Sequence, residues 1–369
     1  MDCRDIIKKI NTYKLDNKNG NIQLNINEYN YTHNINLINN LKSYINEENI
    51  IQYSSLNSTY QSELINKLSL YTLVNTNNLL LLNGGDITIN NILKTYASEY
   101  SNIIIFGPTY SQYERISSII TNNIINIDLE NIDSFYSIDN DILNQTDNNK
   151  RTICFICNPN NPTGKEWDES SLKHLFKTYP NILFVIDETY IDFSILSDHY
   201  KNERIYSCTK CVNEFNNIIV MRSFSKAFGL AGLRISYIIS TSKNINNILS
   251  ITSHKDITEL SKLAAINILD NIDFYKNQIN KLINDKKNIT EFCKINNMKF
   301  IDTKCNFLLI NCKNNADNIT NHFLENKISV KNLNKAYNND LNNYIRISLH
   351  SDYILKIIEI LEQYKIYLI

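Results

Sequence analysis

The chain has 369 residues, 43% of them apolar, with 37 basic against 38 acidic side chains and a formal net charge of -1. That length exceeds one ordinary core and sets two packed domains as the expectation, while the even charge gives no nucleic-acid surface and no polybasic membrane patch. No apolar run approaches transmembrane length, and the charged opening "MDCRDIIKKI" holds no signal-peptide core, so a soluble cytoplasmic protein is expected.

The first 28 residues mix helical and extended patterns and run into "LNINEYNY". Asn-rich tracts such as "NYTHNINLINN" keep recurring apolar positions and read as structure with biased surface residues, not as disorder. From about residue 78 seven apolar runs follow: "LLLLN", "NIIIF", "NIINID", "TICFIC", "ILFVID", "NIIVMR" and "ISYIIS". Most are separated by segments of helical periodicity. Continuous apolar strands alternating with helices predict an α/β fold whose parallel-rich sheet is covered on both faces. Open α/β sheets bind ligands at strand ends.

The scarce residues mark those ends. Six of the seven glycines (Gly84, Gly85, Gly107, Gly164, Gly229 and Gly232) fall in four short motifs, together with Pro108, Pro159 and Pro162. In "NGGDITINNIL", Gly84 and Gly85 make a turn into a helix with Asp86 in its first turn, and free N–H groups there suit a phosphate. A Gly-Gly pair alone is more often only a turn. "FGPTYSQYE" presents Tyr110, whose ring could stack on a flat ligand. "CNPNNPTG" forces an irregular loop in which Asn161 can donate to a ring oxygen. "VIDETYIDF" ends a strand on Asp187, with Tyr190 three residues later. A carboxylate in that position is costly unless it meets a cation, and a protonated pyridine nitrogen is such a cation.

The strongest motif is "SFSKAFGLAGLR". Lys226 stands among small and apolar residues, where burial disfavours the ammonium form and leaves a nucleophilic amine. Ser223, Ser225 and Arg234 can bind one phosphate together. A phosphate-bearing aldehyde, pyridoxal phosphate, needs that combination. A solvated lysine flanking a helix is the plainer alternative for this stretch taken by itself.

Beyond Lys226 the pattern is less specific. Residues 255–290 read as an amphipathic, charged helical stretch, "KFIDTKCNFLLINC" as strand, "NADNITNHFLENKI" as helix, "NYIRISLHSD" as strand then turn, and "YILKIIEILEQYKIYLI" as a closing helix. This suggests a smaller α+β unit. Arg346, on a strand, suits a carboxylate or phosphate. Eight cysteines include two CxxC pairs, Cys154/Cys157 and Cys208/Cys211. They read as small core or surface residues of a reducing compartment, and no metal site is expected.

Taken in order, these motifs resemble the fold-type I, pyridoxal-phosphate-dependent aminotransferases of class I/II, and within them are most similar to the histidinol-phosphate aminotransferases. The resemblance runs from about "LNINEYN" to "YIRISLH". It implies a large domain over 30–255, holding a mostly parallel seven-stranded sheet, and a small domain made of 1–29 and 256–369. It implies that Lys226 carries the cofactor as an imine and then acts as base for proton transfer. Asp187 would pair with the pyridine nitrogen, Asn161 and Tyr190 would hold the ring oxygen, and Tyr110 would stack on the ring. Gly85, Asp86, Ser223, Ser225 and Arg234 would hold the phosphate. Tyr53 matches a position that reaches the neighbouring subunit's phosphate site, which implies a homodimer. Tyr29 and Arg346 match substrate-side positions. The implied reaction exchanges an amino group between glutamate/2-oxoglutarate and a second small molecule, with ping-pong kinetics.

One departure bears on the substrate. Where the family commonly has "VR" before the Arg346 strand, this chain reads "ISVKNL", so Lys331 stands in for a second arginine. Lysine keeps the charge and loses the bidentate fork. The stretch "SHKDITEL" also lacks the Pro/Asn-containing turn expected after the lysine motif. The substrate therefore stays open between histidinol phosphate, a related phosphorylated or phosphonate amine, and an aromatic amino acid. A threonine-phosphate decarboxylase chemistry or a non-enzymatic binding protein would use the same scaffold. "GGD" has neither the GK[ST] ending of a P-loop nor dinucleotide-binding spacing.

Overall fold

The computed structural model describes residues 22–28, 31–128, 150–253, 255–334 and 340–368. Its centre is a seven-stranded sheet. The strands are β2 (Leu79–Leu82), β3 (Asn102–Gly107), β4 (Ile124–Asp128), β5 (Thr152–Cys157), β6 (Ile182–Asp187), β7 (Ile218–Ser223) and β8 (Ser236–Ser240), in the order β2-β8-β7-β6-β5-β3-β4. All seven apolar runs form the strands expected of them. β4, β3, β5, β6 and β7 are mutually parallel, and β8 alone runs antiparallel to both its neighbours. Two reversals make β2 parallel to β7.

The runs are continuous because both faces are buried. Along β3, Ile104 and Phe106 join one core cluster while Ile103 and Ile105 join the other. Cys154 and Cys157 of β5 separate in the same way, one on each face. Strand alternation puts residues three apart on opposite faces, so this cysteine pair does not converge.

A second sheet of five strands has the order β1-β11-β12-β10-β9. It contains β1 (Ile22–Leu24), β9 (Phe300–Ile301), β10 (Phe307–Asn311), β11 (Ile328–Asn332) and β12 (Tyr344–Ser348). β1 is parallel to β11, and the other pairs are antiparallel. Two expectations change here. "KFIDTKCNFLLINC" is a pair of antiparallel strands, not one strand. The Thr303 hydroxyl makes the turn between them, accepting from Cys305 N at 3.1 Å and donating to Phe307 O at 2.5 Å. The charged stretch from 255 is two helices, Glu259–Asp270 and Ile272–Ile295. The break falls at Asn271, whose side chain donates to Asn267 O at 2.8 Å and satisfies a terminal carbonyl.

The sheets share a core, since one cluster runs from Phe184 and Ile186 to Phe307 and Ile347. Polar ties reinforce the join. Lys304 Nζ reaches Glu166 Oε1 at 3.0 Å. Gly164, at φ +69°, lies so close to Thr303 that a Cβ there would overlap the threonine methyl.

Candidate active site

Parallel pairing brings the chemistry-bearing loops to one edge. The carboxyl ends of β2, β3, β5, β6 and β7 all point the same way, and each is followed by one of the motifs singled out above.

Lys226 lies three residues past β7, half-buried between the buried Phe224, Ala227 and Phe228. Its Nζ donates to Ile26 O at 3.0 Å. Burial, and then the charge of Arg346, brings its ammonium down to about 8. A substantial neutral fraction therefore exists near neutral pH, as an amine nucleophile requires.

Asp187 ends β6 and is buried. Its carboxylate accepts from Tyr113 Oη at 2.6 Å and from Thr189 N at 3.0 Å and Oγ1 at 2.6 Å. Burial still outweighs these donors and holds its pKa above the usual carboxylate range. A cation placed against it would relieve that cost.

Tyr110 follows β3 and donates through its hydroxyl to Asp86 Oδ1 at 2.9 Å. Tyr113 sits at its flank, ring centroids 5.6 Å apart and nearly perpendicular, and stacks flat on Phe155 at 4.9 Å. The sequence reading did not find Tyr113. The available signal was its place in the same strand-end motif, three residues after Tyr110.

Tyr190 is buried, its ring edge-on to Phe307 at 5.6 Å, and its Oη accepts from Asn27 Nδ2 at 3.0 Å. Asn161 Oδ1 accepts from Arg346 Nη1, which leaves the amide NH2 of Asn161 as a donor. Arg346, buried on β12, also donates from Nη2 to Asn25 O at 2.7 Å and lies over the Phe307 ring at 5.4 Å. Lys331 of β11 is the register partner of Arg346, and directly opposed residues of an antiparallel pair share a face.

The cradle beside β2 is built from backbone. Gly84, at φ +76°, precedes the helix Gly85–Tyr96, and a Cβ on it would strike the Arg234 guanidinium, with Cζ at 2.8 Å. A Cβ on Gly85 or Gly232 would meet nothing within 4 Å, so the space above them is open. Ser223 Oγ donates to Ser225 Oγ at 2.9 Å and accepts from Ser225 N at 3.0 Å. Ser223 pairs with Ser236 across β7 and β8, and the Ser236 hydroxyl reaches Leu82 O and Thr88 Oγ1 beside Gly84. The two serines, Gly85, Asp86 and Arg234 are thereby gathered at neighbouring strand ends.

Two expected residues remain. Tyr53 is 79% exposed, its ring beneath Lys255 Nζ at 3.9 Å, outside the buried cluster of this chain. Tyr29 lies outside the described residues. Behind the site, Glu188 and Arg222 make a buried pair, Oε2 to Nε 2.9 Å. They adjoin Asp187 and Ser223 in sequence, and the sequence reading did not single them out. Cys208 and Cys211 are also buried there, Cys211 Sγ lying 3.1 Å from Tyr206 Oη.

The residues present fit a flat, phosphate-bearing aldehyde with a protonatable ring nitrogen. They offer an amine of lowered pKa, a buried carboxylate, two oriented donors and an open glycine cradle beside an arginine. Among the described residues no group of three or more His, Cys, Asp or Glu side chains is placed to hold a metal ion. No helix among them is long and apolar enough to cross a membrane.

Comparison with known proteins agrees with this chemistry. Residues 19–359 match the family model described as aminotransferase class I and II. A dihydroxyacetone phosphate transaminase of Campylobacter jejuni is 29% identical over 75% of this chain and 73% of its own. A histidinol-phosphate aminotransferase of a Thermoanaerobacter species is 30% identical over 83% of this chain and 84% of its own. Among solved structures, the histidinol-phosphate aminotransferase of Sinorhizobium meliloti in complex with pyridoxal-5'-phosphate superposes with a TM-score of 0.78 at 18% identity, covering 93% of this chain and 91% of that one.

Proposed function

The chain belongs to the class I and II aminotransferases, enzymes that depend on pyridoxal phosphate, and we propose that it transfers an amino group to or from a small molecule bearing a phosphate ester beside the reacting carbon. The observation that carries this reading is Lys331 directly opposite Arg346, two cations sharing one sheet face, with Arg346 among the charges acting on Lys226. Dihydroxyacetone phosphate and histidinol phosphate, named for two relatives, both carry the phosphate one carbon from the carbon that exchanges oxygen for nitrogen. Histidinol phosphate is the first candidate, with glutamate and 2-oxoglutarate as the amino donor and its product.

Bound pyridoxal phosphate supplies an electron sink that weakens a bond at the amine-bearing carbon. The chain does the rest. Lys226 Nζ anchors the cofactor and, when displaced, moves the proton at the substrate α-carbon. Asp187, buried and above its usual pKa, stabilises a protonated ring nitrogen. Tyr190 and the Asn161 amide donate to the ring oxygen, and Tyr110 covers the ring. Gly85, Asp86, Ser223, Ser225 and Arg234 receive the cofactor phosphate. Tyr29 and Arg346 hold the substrate. We also read residues 30–255 as the large domain, with 1–29 and 256–369 as the small one. The working form is a cytoplasmic homodimer in which Tyr53 completes the partner's phosphate site.

The test is the visible absorbance of the purified, cofactor-loaded protein, with L-glutamate and then L-histidinol phosphate added. Loss of the band with both amines is the expected result. Loss with glutamate alone keeps the aminotransferase and rejects histidinol phosphate. Carbon dioxide release without an amino acceptor would show a decarboxylase instead. Lys331→Ala should raise KM for the phosphorylated substrate by about 10- to 100-fold, the cost of one charge-assisted hydrogen bond, and leave KM for glutamate nearly unchanged.

A further inference from the structure

Asn27 is buried and holds a left-handed backbone at φ +54°, a conformation that Asn adopts more readily than most residues. Its amide orientation is fixed by a chain of donors that begins at a group with no choice. The Asn27 backbone N–H donates to Ser348 Oγ at 3.0 Å. The Ser348 hydroxyl then donates its own proton to Asn27 Oδ1 at 2.8 Å. The carbonyl end of the amide therefore faces Ser348. The NH2 end faces Tyr190 and donates to Oη at 3.0 Å. A phenol carries one proton. With Oη accepting from Asn27, that proton is free to be donated into the site.

We propose that Asn27 is a positioning residue that sets the proton direction of Tyr190, holding the phenol as a donor toward the cofactor's ring oxygen. The inference rests on the placement of Tyr190 given above. Ser348 is its second part, because without the serine the amide can turn over and present Oδ1 to the phenol. The Asn27 carbonyl is itself anchored by Asn306 Nδ2 at 3.3 Å, so the loop is held from the five-stranded sheet and the phenol from the seven-stranded one.

The physical consequence has a definite sign. A donor to a phenolate oxygen stabilises the form that has lost its proton. The lysine-bound cofactor should therefore deprotonate at lower pH while Tyr190 donates, and at higher pH once it does not. The other groups facing Tyr190 and Lys226 are Arg346, Arg234, Asp86, Glu28 and the thiols of Cys157 and Cys305. None is altered by the substitutions used below.

The experiment is a pH titration of the visible band of the cofactor-loaded protein, read as its midpoint. Tyr190→Phe should raise the midpoint by about one pH unit. Asn27→Asp should raise it comparably, because a carboxylate takes the Tyr190 proton for itself. In the Tyr190→Phe background, Asn27→Asp should add only the smaller shift due to its charge. An equal shift in both backgrounds, or none in either, overturns the proposal. If Asn27→Asp does not fold, Ser348→Ala reads the same coupling: a rise that disappears with Tyr190→Phe supports it, and any other result overturns it. No shift with Tyr190→Phe alone would instead reject the placement of Tyr190.

Discussion

Lys226 illustrates how far one residue's surroundings decide its chemistry. Its Nζ has a single backbone acceptor, Ile26 O, and two arginines among the charges acting on it. The folded-state pKa of about 8 lies below that of an unfolded lysine, about 10.4. Between those values the unfolded chain binds more protons than the folded one, so the stability of the cofactor-free protein rises with pH across that window. Urea melts of the cofactor-free protein at pH 7.5, 9 and 10.5 would read this. The wild type should gain on Lys226→Met as pH rises, and a constant difference would reject the lowered pKa. Lys226, Asp187, Asn161, Tyr190 and Arg234 were legible in the sequence because each sits in a short motif at a strand end. Tyr113 and Asn27 were not. Each acts through another side chain, and the Asn27–Tyr190 contact spans 163 positions, so no local pattern announces it.

Elements carry the site through their ends, and the two glycines after β2 separate fold from binding. Gly84 has a backbone that only glycine occupies without strain, and its missing Cβ makes room for Arg234. Gly85 is helical and its missing Cβ faces open space. Gly84→Ala should therefore destabilise the cofactor-free protein by about 1–3 kcal/mol and weaken cofactor binding as well. Gly85→Ala should leave the melting temperature unchanged or slightly higher, since alanine favours a helix, yet weaken cofactor binding by crowding the cradle. Equal losses of stability in the two variants would show that the space above Gly85 is not open, and an unchanged cofactor affinity in Gly85→Ala would show that it is not a binding cradle. The strands were readable because burial on both faces leaves an uninterrupted apolar run. The hairpin at 300–311 and the helix break at Asn271 were not, because neither uses glycine or proline. Side-chain hydrogen bonds from Thr303 and Asn271 make those bends, and threonine and asparagine are too common in this chain to mark them.

At the scale of the whole molecule, the segment around Tyr53 bears on how two chains would assemble. Ile51 and Tyr53 are three-quarters exposed or more, and Ile50 beside them is 69% exposed. Exposed apolar side chains gathered in this way mark an interaction surface. The segment also lies beside the glycine cradle at the end of β2, because Lys255, which covers the Tyr53 ring, adjoins Asp256, whose carbonyl accepts from Asn83 next to Gly84. A twofold partner would bury this surface and bring each Tyr53 to the other chain's phosphate site, so each site would need two chains. That arrangement predicts complementation between two defective variants. Lys226→Ala removes the anchor from its own chain's site, and Tyr53→Ala removes a contact from its partner's. In a hybrid dimer both defects fall on one site and the other site is intact. Refolding the two variants together at equal amounts should restore about a quarter of the wild-type sites, from random pairing, measured as tight cofactor binding and as activity. Sites made by one chain alone would give no restoration, since every chain in the mixture carries a defect, and that result would remove both the shared site and the role given to Tyr53.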